Sequence, residues 1–235
     1  VGDTRPDAHT LAGIPVVVRW ADLAQDADGP PAGEHAEPDA GYARSLLTPF
    51  EFARYETLRP HAARSFLAGR SLLRELVAAI AAVEPTDVTI EARCPVCGGP
   101  HGRPTVVSPA AATPLQLSLA HSGAVVAAAA AWENPVGVDV ERADAAHAPE
   151  RDDAIAAVAG ASGDDPLEHW TRVEAVLKAD GRGLRVDPGR VRIRAGDATG
   201  DTVDAWIDGD EASPHYALAS IDLGPGFTAS VAVKT

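Results

Sequence analysis

Along the chain, apolar residues fall into short runs of two kinds. Most alternate with polar residues or are bounded by turn-forming ones, which predicts β-strands: "IPVVVRW" (14–20), "DVTIEAR", "RPTVV", "LQLSLAH", "AVVAAAAAW" and "VGVDVE" in the first part of the chain. In the later part come "VRIR", "DTVDAWID", "HYALASIDL" and "FTASVAV". A helical period appears instead in "HAARSFLAGRSLLRELVAAIAAV" after Pro60, which places Phe66, Leu73, Leu76, Val77 and Ile80 on one face and Arg64, Arg70 and Arg74 toward another. Helices are also predicted near "DDAIAAVAG" and over "DPLEHWTRVEAVLKAD". The stretch "DADGPPAGEHAEPDAG" has no period and reads as a mobile loop.

This order has a plan that repeats. "LQLSLAHSGAVVAAAAAW" and "YALASIDLGPGFTASVAV" are each strand, glycine-containing turn, strand, and each follows a long helix at a distance. The expected fold is α+β, with two similar pseudo-symmetric halves, residues 1–132 and 133–235. Each is a long helix on a small, mostly antiparallel sheet, with the ligand site in the cleft between them.

Length and composition narrow the function. The 235 residues, 46% apolar, suffice for a substantial core, and the longest small-apolar run, Ala124–Trp132, is half a membrane span. No basic-then-apolar leader opens the sequence, so a soluble, cytoplasmic protein is expected. A net charge of −14 argues against nucleic acid and anionic membranes as partners, because both are held by basic surfaces. An anionic ligand must then be held by a local basic pocket. Lysine is rare: only Lys178 and Lys234 accompany 18 arginines, so a lysine in a motif stands out.

The two cysteines lie in "CPVCGGPH". Zinc needs four ligands, of which Cys94, Cys97 and His101 supply three; two reduced thiols in a Gly/Pro turn is the simpler reading.

Two other motifs carry chemistry. In "GVDVE", Asp139 and Glu141 are two apart on a strand and share a face, where like charges repel unless a cation or a basic partner lies between them. Carboxylates so arranged suit Mg²⁺. The plainer alternative is a solvated edge strand with its acids paired to Arg142. In "WTRVEAVLKADGRGL", Trp170, Glu174 and Lys178 recur every fourth residue along one helix face. An ordinary surface ion pair beside a core tryptophan would look the same. Candidate anion-binding residues in the first half are Arg64, Arg70, Arg103 in "HGRP", and His121 with Ser122 in "AHSG".

The succession "GRP", "LAHSG", "GVDVE" and "WTRVEAVLKADGRGL", spanning about Arg64 to Leu184, resembles the surfactin-type 4′-phosphopantetheinyl transferases. The resemblance implies a monomer of two α/β halves with coenzyme A in the cleft and Mg²⁺ between protein and pyrophosphate. It implies Asp139, Glu141 and Glu174 as metal ligands, with Glu174, or a water on the metal, taking the proton of an incoming serine. It further implies Arg103 and His121 on coenzyme A phosphates, Arg64 and Arg70 as further basic contacts, and Lys178 directed at the phosphates. The partner would be an apo acyl or peptidyl carrier protein, and the product 3′,5′-ADP.

The chain departs from the family at two places. Val173 stands where many relatives have lysine, and Ala120 where serine is frequent, which predicts a cation and a hydroxyl missing from the cofactor site and slower or differently tuned transfer. Its acidity would repel acidic carriers. Two rival readings follow: a catalytically weak coenzyme A- or carrier-binding module, and a Mg²⁺-dependent coenzyme A hydrolase.

Overall fold

The computed structural model describes residues 7–23, 40–94, 97–100, 102–143, 155, 165–194, 203–209 and 214–235. The helix expected near "DDAIAAVAG", Ile155 excepted, and most of the acid-rich stretch after residue 25 lie outside the described residues.

The fold is mixed α/β with two antiparallel sheets. The first contains β1 (Asp7–Leu11), β2 (Ile14–Asp22), β3 (Thr89–Glu91), β4 (Thr105–Ser108), β5 (Leu115–Ser122) and β6 (Val125–Trp132), in the order β1-β2-β6-β5-β4-β3. The second contains β7 (Val136–Arg142), β8 (Val191–Arg194), β9 (Val203–Ile207), β10 (His215–Ile221) and β11 (Phe227–Lys234), in the order β7-β11-β10-β9-β8. Four described helices accompany them: α1 (Ala40–Ser45), α2 (Pro49–Thr57), α3 (Pro60–Ala81) and α4 (Pro166–Asp180).

Three apolar layers explain the strand patterns. The central layer joins the sheets face to face: Val16, Val18, Val125, Ala127, Ala129 and Ala131 from the first meet Val136, Val138, Val140, Ala217, Ala219 and Val231 from the second. Outside the first sheet, Leu72, Leu73, Leu76 and Val77 of α3 pack on Leu115, Leu117, Val126, Ala128 and Ala130. Outside the second, Val173, Val176 and Leu177 of α4 pack on Tyr216, Leu218 and Ala232. Strand β6 is an apolar run rather than an alternation because both of its faces are buried. Its alanines leave room for the opposite layer where larger side chains would collide.

Helix boundaries follow local chemistry. At α4, Asp165 accepts hydrogen bonds from the Leu167 and Glu168 amides, Pro166 fills the first turn, and Gly181, at φ +88°, ends the helix in the left-handed conformation. Helix α2 begins with a reciprocal cap: Thr48 Oγ1 accepts from Glu51 N at 3.2 Å, and Thr48 N donates to Glu51 Oε2 at 2.9 Å. This Thr-Pro-Phe-Glu signature announces a helix start in the sequence. Helix α2, like α1 and β1, is an element beyond those the periodicity predicts; β1 is a short strand that hairpins onto β2.

Strand β7 is at the edge of its sheet, beside the face of β5. Two of its outward-pointing amides are capped by serines: Val138 N donates to Ser118 Oγ at 3.0 Å, and Arg142 N to Ser122 Oγ at 3.4 Å. An edge that would otherwise solicit another strand is thereby partly satisfied within the molecule.

On its other face β7 meets α4 at Gly137. A Cβ added there would lie 2.0 Å from Ala175 O and 2.5 Å from Ala179 N, both backbone atoms of the helix. Gly137→Ala must therefore lift the helix off the sheet, and we expect a loss of about 2–3 kcal/mol in unfolding free energy by urea titration. A loss within experimental error would show that the helix can shift without cost.

Candidate functional site

Because Gly137 lets α4 lie on β7, the next two residues on that face, Asp139 and Glu141, come under the same helix. Both are buried, at 6% and 4% exposure, which excludes the solvated-edge alternative. Lys178 Nζ lies 2.6 Å from Asp139 Oδ1, and Ser122 Oγ donates to Glu141 Oε2 at 2.8 Å. Glu174 is one turn before Lys178 on α4, half-buried, and Trp170 is a buried core residue one turn before that. The "GVDVE" and "WTRVEAVLK" motifs are thus brought together, and the position beside Asp139 is filled by positive charge.

The donor chemistry suits a hard divalent cation, with three carboxylates on two elements in contact. Among the described residues, however, no group of three His, Cys, Asp or Glu side chains is close enough to hold a metal ion. In this arrangement Asp139 is turned to Lys178, and Glu141 to Ser122. A cation would draw these side chains together rather than enter a preformed cage.

The expected anion-binding residues separate into different surroundings. His121 is exposed at the end of β5, where it lines a cleft of about 520 Å³ with Arg70, His61, Phe66, Gly102 and Gly123. Arg64 lines a different cavity, about 480 Å³, with Tyr55, Glu56 and Leu67. Arg70 and Arg74 do not form a solvent-facing basic stripe: they are buried, at 7% and 1% exposure. Both pair with the buried Glu51, Arg74 Nη2 at 2.6 Å from Oε2 and Arg70 Nε at 3.3 Å from Oε1. Burial draws the Arg70 pKa down, and the Glu51 charge opposes that. Glu51 therefore serves twice, as the helix cap of α2 and as the counter-charge for two guanidiniums of α3.

Arg103 occupies the junction between sheets. Its Nε donates to Leu117 O at 3.2 Å, Nη1 to Ala179 O at 3.4 Å, and Nη2 to Val136 O. Three of its roughly five N–H donors are thus spent on backbone carbonyls of β5, β7 and the C-terminal turn of α4. Burial lowers its pKa, with Asp180 working in the opposite sense. The geometry is that of a clamp across three elements; the sequence, seeing only "GRP" before a strand, offered no sign of the carbonyls it would meet.

Val173 and Ala120, where the sequence differs from the pattern it resembles, are both packing positions. Val173 is fully buried in the layer under α4, and Ala120, 4% exposed, is in the layer between the sheets beside Val138 and Val140. Both positions serve packing here, so their apolar character is required by the core. Arg172 and Arg182, which flank this helix face, are engaged with Glu168 and Asp180 respectively. Burial tends to raise the Asp180 pKa, but hydrogen bonds from Arg182 and from the Tyr216 hydroxyl, with the Arg182 charge, outweigh it and bring the net shift down.

The cysteine segment is a tight turn: Cys94 N donates to Gly99 O at 2.8 Å, Gly98 N to Cys94 O at 2.9 Å, and Gly99 N to Cys97 Sγ at 3.4 Å. His101, third of the ligands considered for zinc, lies outside the described residues. Among the described residues, no helix is long and apolar enough to cross a membrane. The sequence matches no protein-family model and no curated protein, so the functional reading stands on residues and geometry.

Two expectations follow. Arg103→Ala should lower the unfolding free energy by about 1–3 kcal/mol, since it leaves buried carbonyls without donors. Unchanged stability with a raised KM for a phosphate-bearing substrate would instead assign the side chain to ligand. Glu51→Ala, which strands two buried guanidiniums and uncaps α2, should cost about 3–5 kcal/mol in the same denaturation experiment, and a smaller loss than Arg103→Ala would refute the buried-network account.

Proposed function

We propose that this protein is a 4′-phosphopantetheinyl transferase that moves the phosphopantetheine arm of coenzyme A to a serine of an apo acyl or peptidyl carrier protein. The observation that carries the reading is the apposition of two buried strand carboxylates, Asp139 and Glu141, with a helix that bears Glu174 and Lys178, the lysine in contact with Asp139. Beside them, the His121–Gly123 turn borders a cleft of a size that takes part of a nucleotide-bearing ligand.

In this reading the two sheets with their outer helices are two halves of one repeated plan. Coenzyme A lies in the cleft bordered by α3 and the His121–Gly123 turn, which residues of the first half line, with His121 and Arg70 toward its phosphates. Arg64 lines a neighbouring cavity and Arg103 clamps backbone, so neither carries the same weight in the ligand site. Asp139, Glu141 and Glu174 would hold Mg²⁺, which when bound supplies charge neutralisation at the pyrophosphate. The Lys178 ammonium, given up by Asp139, pairs with a phosphate oxygen and stabilises the charge that develops as the bond breaks. Glu174 accepts the hydroxyl proton as the serine oxygen bonds to the phosphorus that carries the pantetheine arm. The bond from that phosphorus to the oxygen of 3′,5′-ADP breaks, and the nucleotide leaves with the electron pair. The work requires a soluble carrier domain as acceptor and no nucleic acid or membrane; the enzyme acts as a monomer in the cytoplasm.

The test is the intact mass of apo acyl and apo peptidyl carrier proteins after incubation with the enzyme, coenzyme A and Mg²⁺, with and without EDTA. We expect a gain of one phosphopantetheine arm that EDTA suppresses. Asp139→Ala and Glu174→Ala should each lower the rate at least about 100-fold while the protein remains folded. Wild-type rates in either variant would remove the acid assignment, and coenzyme A cleaved without a labelled carrier would replace transferase with hydrolase.

A further inference from the structure

Ser118 and Ser122 both lie on the face of β5 that covers the β7 edge, four residues apart, and both accept a hydrogen bond from a β7 amide. Beyond that they differ. At Ser122 the hydroxyl also meets a carboxylate, Glu141 Oε2 at 2.8 Å. The direction of the proton follows from the partners: the Arg142 amide can only donate to Oγ, so the one hydroxyl hydrogen is directed to Glu141. Capping the strand edge needs only the acceptor; the donor is used on the acid.

The rest of the turn holds this hydroxyl in place. Ser122 is the last residue of β5, opposite Val125 of β6. Gly123 follows at φ +57°, and a Cβ there would lie 3.1 Å from Arg142 Cδ, so the turn sits directly against the residue that follows Glu141. On the other side of the strand, His121 and Gly123 form part of the wall of the 520 Å³ cleft. One turn therefore presents one residue to the cleft and the next to a buried acid of the neighbouring sheet.

We propose that Ser122 is a positioning residue: its hydroxyl fixes the orientation of the Glu141 carboxylate for a divalent cation, and so couples the coenzyme-facing turn of the first sheet to the metal-binding acids of the second. This rests on the reading of Asp139, Glu141 and Glu174 as cation ligands. A carboxylate oriented by an outer hydrogen bond loses affinity for its metal when that bond is removed, characteristically by 10- to 100-fold. Ser122→Ala should accordingly weaken Mn²⁺ binding by about tenfold, followed by the loss of the free-ion electron paramagnetic resonance signal on titration. Ser122→Thr, which keeps the hydroxyl, should restore most of it. Ser118→Ala is the control, because it removes an edge cap that touches no carboxylate; it should lower the thermal transition and leave the Mn²⁺ affinity unchanged. In transfer assays the apparent KM for Mg²⁺ should rise in Ser122→Ala by more than kcat falls.

The outcomes separate the two levels of the argument. If the wild-type protein takes up no Mn²⁺ with or without coenzyme A, the acids are not cation ligands and the transferase reading falls with this one. If the wild type binds and Ser122→Ala binds equally well, or if Ser118→Ala weakens binding as much, Ser122 has no positioning role although the acid site stands. Should Ser122→Ala fail to fold, Ser122→Cys, a weaker donor of similar volume, takes its place with the same expected direction.

Discussion

The close approach of the α4 backbone to Gly137 of β7 is the constraint on which the site depends. A helix normally stands off a sheet by the length of the side chains between them; here one missing Cβ brings Ala175 and Ala179 down onto the strand. The alternation of the strand then decides what lies under the helix next. Asp139 and Glu141 follow Gly137 at intervals of two, on the same face, and the helix brings Glu174 and Lys178 over them at intervals of four. Any larger residue at 137 would part the acids from the lysine that neutralises Asp139.

A second set of interactions fixes the sheets relative to each other, and it is polar. The central layer between them is built mostly of alanine and valine, which pack closely but with little to set one register apart from another. Arg103, Ser118 and Ser122 supply direction, because each satisfies a particular backbone group of β7 and Arg103 also reaches the end of α4. A shift of one residue would turn these backbone groups the other way and leave buried polar atoms without partners. The same buried junction carries Asp139 and Glu141, so the geometry of the candidate site is inherited from the contacts that hold the sheets together.

Charge is handled in the interior as well as on the surface of this acidic chain. Glu51 meets Arg70 and Arg74, and Asp139 meets Lys178, each pair at least partly withdrawn from water. Arg74 is so deeply buried that its charge is inseparable from the folding of α2 onto α3. Arg70, by contrast, also forms part of the cleft wall.

The sequence by itself determined the elements with strong periods and the two acidic motifs. Helices α3 and α4 and most of the strands follow from spacing, because burying one face of a helix or strand leaves a periodic trace in the chain. It also determined which residues of the candidate site share a face, as with Asp139 and Glu141, since strand geometry is local. Only the tertiary structure decided what each face meets. That Arg103 clamps carbonyls 14, 33 and 76 residues away, that Arg70 and Arg74 share Glu51, that Val173 and Ala120 serve the core, and that Ser122 holds Glu141 are long-range facts. They leave no periodic trace, because the partner of a polar side chain is chosen by how the layers stack, and the stacking is a property of the whole chain rather than of any stretch of it.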